Sequence, residues 1–123
     1  MSLYLDGVVM RVSATAKSGV IDSATRLRFV QRGARVLGRY GGGSVLRGYL
    51  VGTIEGARLR FRYTQREASG EIHGGASTCE VMRQSDGGLR ILEHFRWRTR
   101  EGSGTNVFET NAAQDPCGDS RGV

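Results

Sequence analysis

The stretch Gly41–Gln65, which reads GGGSVLRGYLVGTIEGARLRFRYTQ, alternates apolar and polar residues with a period of two on both sides of Glu55-Gly56. This alternation indicates two antiparallel strands with one buried and one solvated face. With Glu55-Gly56 as the turn, Gly48 lies opposite Tyr63 on the apolar face, and arginines fill the other face. Glycine opposite a large ring favours strong coiling of a sheet. The hairpin therefore predicts a curved β wall.

The same alternation recurs along the whole chain and predicts eight strands, with no segment of helical periodicity. Strands are expected at residues 7–14 and 25–31, after the turn at Arg32-Gly33, in the central hairpin, and at 71–83, 89–100 and 105–110. Closure is favoured because a flat sheet would expose its apolar face and both edges. We predict an all-β fold, a single eight-stranded antiparallel up-and-down (meander) β-barrel. An open barrel or a two-sheet sandwich is the alternative.

The barrel domain is expected to cover residues 1–110. Residues 111–123, NAAQDPCGDSRGV, are polar and aperiodic, and we expect them to form a disordered tail. The first residues lack both a charged leader and a long apolar stretch, so neither a secretory signal nor a membrane segment is expected. A cytoplasmic protein is the default. Monomer and homodimer both remain open.

The 123-residue chain has a formal net charge of +6, which comes almost wholly from arginine because Lys17 is the single lysine. A basic chain favours anionic partners such as nucleic acid. The alternative is arginine spread over a solvated surface, as GC-rich codon usage produces. The cysteines at 79 and 117 do not cluster, and neither histidine has a nearby Cys, Asp or second His at metal-ligand spacing. No metal and no cofactor are therefore predicted.

Large aromatic side chains and a few polar groups share the predicted inner face, a composition typical of a small-molecule pocket. An alternative is that the aromatic rings are simply the barrel core. The predicted ligand-binding residues are Tyr40, Phe61, Tyr63, Gln65, Glu93, Phe95 and Trp97.

Glu93 is the most unusual member of this set, because a carboxylate between Ile91 and Phe95 needs a partner or a proton when it is buried. A turn at Asp86-Gly87 would place Glu80 directly opposite Glu93. Two facing carboxylates can share a proton and act as general acid and base. A bulged turn would put Cys79 in that place instead. A structural network with an inward arginine or tyrosine is the further alternative.

The arginines of the outer face offer a second alternative function, an interaction module for nucleic acid or protein. Tyr49 would supply a stacking surface beside Arg62. The other aromatic residues lie mostly on the apolar face and are not interleaved with arginines. The nucleic-acid interpretation therefore ranks below the internal pocket.

The segments GRYGGGSVLRGYLVGTIEGARLRFRYTQ, GEIHGG and SDGGLRILEHFRWRTREGSGTNVFE resemble a family of small bacterial proteins over about residues 38–109. The run Glu93–Trp97 is the most distinctive part. The resemblance implies a calycin-type barrel, similar in architecture to lipocalins and to the avidin and streptavidin type.

Many members of that family carry the label N-acetylglutamate synthase. Such acetyltransferases hold the pyrophosphate of acetyl-CoA at a helix N-terminus. In this chain the nearest glycine-rich match, residues 39–44, leads into a strand. The residues therefore do not support that label.

Overall fold

The structure, a computed structural model, describes residues 3–110. Each strand pairs antiparallel with the next, and the last pairs with the first, so the sheet closes into a barrel. The eight strands are β1 (Val9–Ala14), β2 (Arg26–Arg32), β3 (Arg35–Gly42), β4 (Val45–Glu55), β5 (Arg58–Glu67), β6 (Ile72–Arg83), β7 (Leu89–Trp97) and β8 (Ser103–Thr110).

The prediction of an all-β, eight-stranded meander barrel is confirmed. The tail predicted for residues 111–123 lies outside the described residues. Across residues 3–110, we find no helix with the length and apolar character needed to cross a membrane.

Period-two patterning decides which side chains fill the barrel. In β5, Leu59, Phe61 and Tyr63 are buried, while the residues between them are exposed. β7 is inward at Leu89, Ile91, Glu93, Phe95 and Trp97, as its alternation predicts. The alternation of the sequence therefore carries over directly into one interior and one arginine-rich exterior.

The turns predicted at Arg32-Gly33 and Glu55-Gly56 are each one residue too early in the sequence. The strand partners predicted from these two turns are therefore wrong by two positions. Gly48 pairs with Gln65 rather than with Tyr63. The reason is the turn geometry: Gly33 and Gly56 have positive φ angles of 60° and occupy the first loop position. A type II′ turn needs glycine at that first position, where Arg32 or Glu55 would be strained. A shift of two leaves the inward face unchanged.

Different segments close the two ends of the barrel. At one end Leu5 is fully buried, and its backbone N–H donates to Gln31 Oε1 at 2.8 Å. At the other end residues 15–25, which join β1 to β2 and are called the strap below, cross the mouth. Val20 and Ile21 of the strap pack against the core. The strap end also carries the cavity described next.

Candidate functional site

A cavity lies inside the barrel beneath the strap. Its volume is about 30 Å³, which is room for roughly two water molecules. All seven predicted pocket residues border it, together with side chains that were not predicted. The lining consists of Gly19, Val20, Ile21, Leu27, Tyr40, Leu50, Phe61, Tyr63, Gln65, Glu93, Phe95, Trp97, Asn106 and Phe108. The barrel interior is thus largely filled by its own side chains.

Two inward glycines make room for the tyrosines of the cavity. A Cβ on Gly48 would clash with the ring of Tyr40 on the neighbouring strand, and one on Gly75 would clash with the Tyr63 hydroxyl. Each ring therefore lies over bare backbone. Inward glycines do lie next to large residues, as predicted. The ring beside Gly48, however, is that of Tyr40 and not that of Tyr63.

A chain of hydrogen bonds runs from the cavity to the barrel mouth. The Tyr40 hydroxyl donates to Gln65 Oε1 at 2.8 Å, and Gln65 Nε2 donates to Glu67 Oε2 at 2.9 Å. Arg100 Nη2 completes the chain at 2.7 Å from Glu67 Oε1, and its guanidinium lies 4.5 Å from the Trp97 ring centroid. This chain orients Gln65 and leaves Tyr40 as its inner terminus.

The two ends of the chain differ in protonation. Burial, aided by the nearby Glu93, raises the pKa of Tyr40, so the hydroxyl stays neutral. Burial alone would raise the pKa of Glu67, but hydrogen bonds from Arg100 and Gln65 outweigh it and lower that pKa. Glu67 is therefore a carboxylate paired with Arg100.

Glu93 is buried among polar partners from both neighbouring strands. Ser77 Oγ donates to Glu93 Oε2 at 2.6 Å, and Asn106 Nδ2 donates to Oε1 at 2.9 Å. Burial raises the pKa of Glu93, and these two hydrogen bonds offset only part of that rise. Burial is the largest of these effects and shifts the carboxyl toward its neutral form, although both of its oxygens accept hydrogen bonds.

The predicted partnership of Glu93 with Glu80 is wrong. Cys79 pairs with Glu93 across β6 and β7, and Glu80 pairs with Leu92 on the outer face. The connection between Arg83 and Leu89 has five residues, an odd number, so the register moves by one. The general acid/base hypothesis for Glu93 thereby loses its second carboxylate.

Cys79 is the residue that replaces Glu80 opposite Glu93, and it is fully buried. Burial, with the nearby Glu93 adding to it, raises the pKa of the Cys79 thiol. The thiol therefore stays protonated and unreactive, as structural buried cysteines are.

The hydroxyl of Tyr63 is the one buried side-chain polar atom without a hydrogen-bond partner among the described residues. Only 7% of the residue is exposed, and its ring packs edge-on against Trp97 with 5.4 Å between centroids. Burial, together with the nearby Glu93, raises the pKa of Tyr63 and keeps the group neutral. A buried hydroxyl without a partner costs about 1–3 kcal/mol.

The strap is fastened to the same residues that form the cavity. Asn106 Oδ1 accepts from the Ala16 backbone N–H at 3.1 Å, while its amide nitrogen holds Glu93. Trp97 Nε1 donates to the Ser18 carbonyl at 2.8 Å. Sequence reasoning missed Asn106, Ser77 and the strap. For Asn106 and Ser77 the available signal is a polar residue at an inward position next to Glu93.

One group of metal-ligand type occurs in the part of the chain that the structure describes: Glu67, Glu71 and His73, with ligand atoms within 4.8 Å of one another. Arg100 Nη2 is 2.7 Å from Glu67 and 3.9 Å from Glu71. The guanidinium thus pairs closely with Glu67 and lies near Glu71. His73 contacts Thr99 and Glu71 at 2.8 Å each. The geometry supports a structural ion-pair cluster.

Comparison with known proteins gives one finding. A family model described as "Avidin-like protein" matches residues 3–111. No curated protein and no solved structure matches the chain.

Proposed function

The chain belongs to the avidin-like protein family, and on this premise we propose that it binds a small, neutral, partly apolar molecule in the cavity beneath the strap. Members of this family bind small ligands such as biotin. The observation that carries the proposal is the Tyr63 hydroxyl, a buried polar group at the edge of an apolar cavity that has no hydrogen-bond partner among residues 3–110. A ligand polar atom would satisfy it.

The charge of the lining limits the ligand to neutral groups. No arginine, lysine or histidine is among the residues that border the cavity. Burial raises the pKa of the titratable groups there, which keeps Tyr40 and Tyr63 neutral and shifts Glu93 toward its neutral form. A charged ligand group would lose its hydration without gaining a counter-charge, which costs several kcal/mol. Hydrogen bonds to neutral groups and contacts with the aromatic rings would provide the affinity.

The size of the cavity makes the strap part of the mechanism. A volume of about 30 Å³ is far below the ~300–1,000 Å³ of pockets for drug-sized ligands. Anything larger than a few atoms requires Val20 and Ile21 to move outward. Glycine at 19 and half-buried side chains at 20 and 21 suit a segment that can be displaced without unfolding the barrel. Binding of biotin itself would need this movement.

A matched pair of variants tests the proposal, with phenol, cyclohexanol, 2-imidazolidone and biotin as probes in calorimetry. Tyr63→Phe removes the unpartnered hydroxyl, so it should leave the free energy of unfolding unchanged or slightly higher while weakening any polar probe about 5- to 10-fold. Tyr40→Phe leaves the buried Gln65 Oε1 without its donor and should cost about 1–3 kcal/mol of stability.

Native mass spectrometry of freshly purified protein would reveal a ligand that is retained from the cell. The proposal fails if no probe binds to the wild type and none binds to the double variant Val20→Ala/Ile21→Ala. That double variant enlarges the cavity from the strap side. A preference for benzoate over phenol would contradict the neutral-ligand argument.

A further inference from the structure

The outer face of β2–β5 carries an unusual concentration of positive charge. Within these four strands, all of which the structure describes, Glu55 is the one exposed acidic residue. The exposed arginines of the same strands are Arg26, Arg28, Arg32, Arg35, Arg39, Arg47, Arg58, Arg60, Arg62 and Arg66. No sequence segment is arginine-rich by itself. Strand pairing collects these residues on one half of the barrel wall.

Among residues 3–110, no carboxylate forms an ion pair with these ten arginines. The arginine ion pairs found between residues 3 and 110 involve Arg11, Arg90 and Arg100, all outside β2–β5. None of the ten arginines has a carboxylate oxygen within 4.0 Å in that range. An uncompensated basic surface on one face attracts an anionic partner. It also opposes self-association through the same face, because two such surfaces repel.

A groove near the strap end of this face has the shape and composition of a binding site. It has a volume of about 500 Å³. Arg28 lies beside Arg39 on the adjacent strand, and Arg39 lies beside Tyr49 on the next. Tyr49 is 50% exposed. Arg26 and Arg47 complete the basic lining.

The neighbouring row across the same strands is apolar. Val30 pairs with Leu37, and Leu37 pairs with Val51. Their exposed fractions are 39%, 42% and 51%. At the far end of the face, Arg58 has Glu55 and Glu80 as cross-strand neighbours, which weakens the positive field there. The strongest site for an anion is thus the groove around Tyr49.

We propose that single-stranded nucleic acid binds in this groove, with a base stacked on Tyr49 and phosphates held by Arg26, Arg28, Arg39 and Arg47. Guanidinium groups form paired hydrogen bonds with phosphate oxygens. An exposed ring among them offers a face for an unpaired base, as in sequence-tolerant single-strand binders. A duplex keeps its bases stacked inside, and the Asp and Glu side chains of an acidic polypeptide have no ring to stack on the exposed tyrosine. Both therefore fit the groove less well than single-stranded nucleic acid does.

The first test measures fluorescence anisotropy of a labelled thymidine oligonucleotide of about 12 nucleotides with two charge-matched double variants. Arg28→Gln/Arg39→Gln removes two positive charges in the groove, and Arg96→Gln/Arg98→Gln removes two from exposed positions on the opposite wall. The groove variant should bind much more weakly. Its slope of log affinity against log salt should fall by about 1.4, at ~0.7 for each lost phosphate contact. The control variant should keep both values near those of the wild type.

The second test separates stacking from charge. Tyr49→Ala should weaken binding about 5- to 100-fold, and Tyr49→Phe should keep it. Equal losses in the two double variants would mean that net charge alone acts, and the proposal would be wrong. It would also be overturned by tighter binding to a duplex of equal length. If poly-glutamate binds as tightly as the oligonucleotide, and if Tyr49→Ala does not weaken that binding, the face would be assigned to acidic proteins. Thermal melts of each variant establish that the barrel is folded.

Discussion

Replacement of Glu93 by glutamine should change how the stability of the barrel depends on pH. Burial raises the pKa of Glu93 above the ordinary value of 4.5. The folded state therefore holds a proton that the unfolded state releases. The resulting stabilisation is complete below pH 4.5 and is lost as the pH rises through the folded-state pKa. Glutamine is neutral at every pH. Its carbonyl oxygen can accept from Asn106 as Glu93 does, and its amide N–H can donate to Ser77 Oγ once that hydroxyl turns from donor to acceptor.

The magnitude follows from one proton. Between pH 4.5 and the folded-state pKa, the free energy of unfolding of the wild type should fall relative to Glu93→Gln by about 1.4 kcal/mol per pH unit. A domain of this size has a total stability of only about 5–15 kcal/mol, so the effect is readily measured. Subtracting the variant from the wild type removes the contributions of other groups, including Glu67.

Urea unfolding at a series of pH values, followed by fluorescence, measures this difference, because Trp97 is the single tryptophan and is buried. A difference that does not vary with pH would mean that Glu93 titrates alike in both states. A wild type that gains stability over the variant as the pH rises would mean that Glu93 is held as a carboxylate. Either result would refute the neutral carboxyl at the centre of the cavity.

Three further outcomes follow from the packing. Gly52→Ala should destabilise the barrel strongly or prevent folding, because a Cβ there would clash with backbone atoms of β5; urea titration measures this. Arg100→Gln removes the guanidinium partner of Glu67, whose hydrogen bond from Gln65 remains, and should cost about 1–3 kcal/mol of stability. This loss should be present above pH 4.5 and fade as the pH falls through the lowered pKa of Glu67. Cys79 is fully buried, and burial together with nearby Glu93 raises the pKa of its thiol. In a Cys117→Ser background, Cys79 should therefore react with a thiol reagent only at the rate of unfolding. Mass spectrometry at successive reaction times measures this rate.

The sequence predicts which strands pair, but the exact residue partners depend on where each turn begins and how many residues it contains. The alternation of β4 and β5 sorts residues correctly between inside and outside over most of the hairpin. It fails at Leu46, which strict alternation would place inside and which is 59% exposed, because a register shift between Val45 and Arg47 interrupts the ladder. A bulge of this kind depends on local backbone geometry, and the apolar pattern does not reveal it.

The candidate site also has one part that the sequence predicts and another part that it does not. The seven predicted cavity residues all lie on the inner face, because that follows from the period of a strand. The sequence left Glu80 and Cys79 as alternative neighbours of Glu93, because one additional residue in the β6–β7 connection decides between them, and the structure has Cys79. The contact between Asn106 and Ala16 joins residues 90 positions apart and needs the closed barrel.

The sequence by itself determined that this protein is a curved, two-faced β-sheet with an aromatic interior and an arginine exterior, since side-chain direction in a strand is a local property of the backbone. Tertiary structure decided the rest. Closure brought the strap over the cavity and left the Tyr63 hydroxyl without a hydrogen-bond partner in the described part of the chain. Pairing of β2–β5 gathered scattered arginines around Tyr49. Both results depend on loop lengths and on contacts between residues distant in the chain, and no local pattern encodes them.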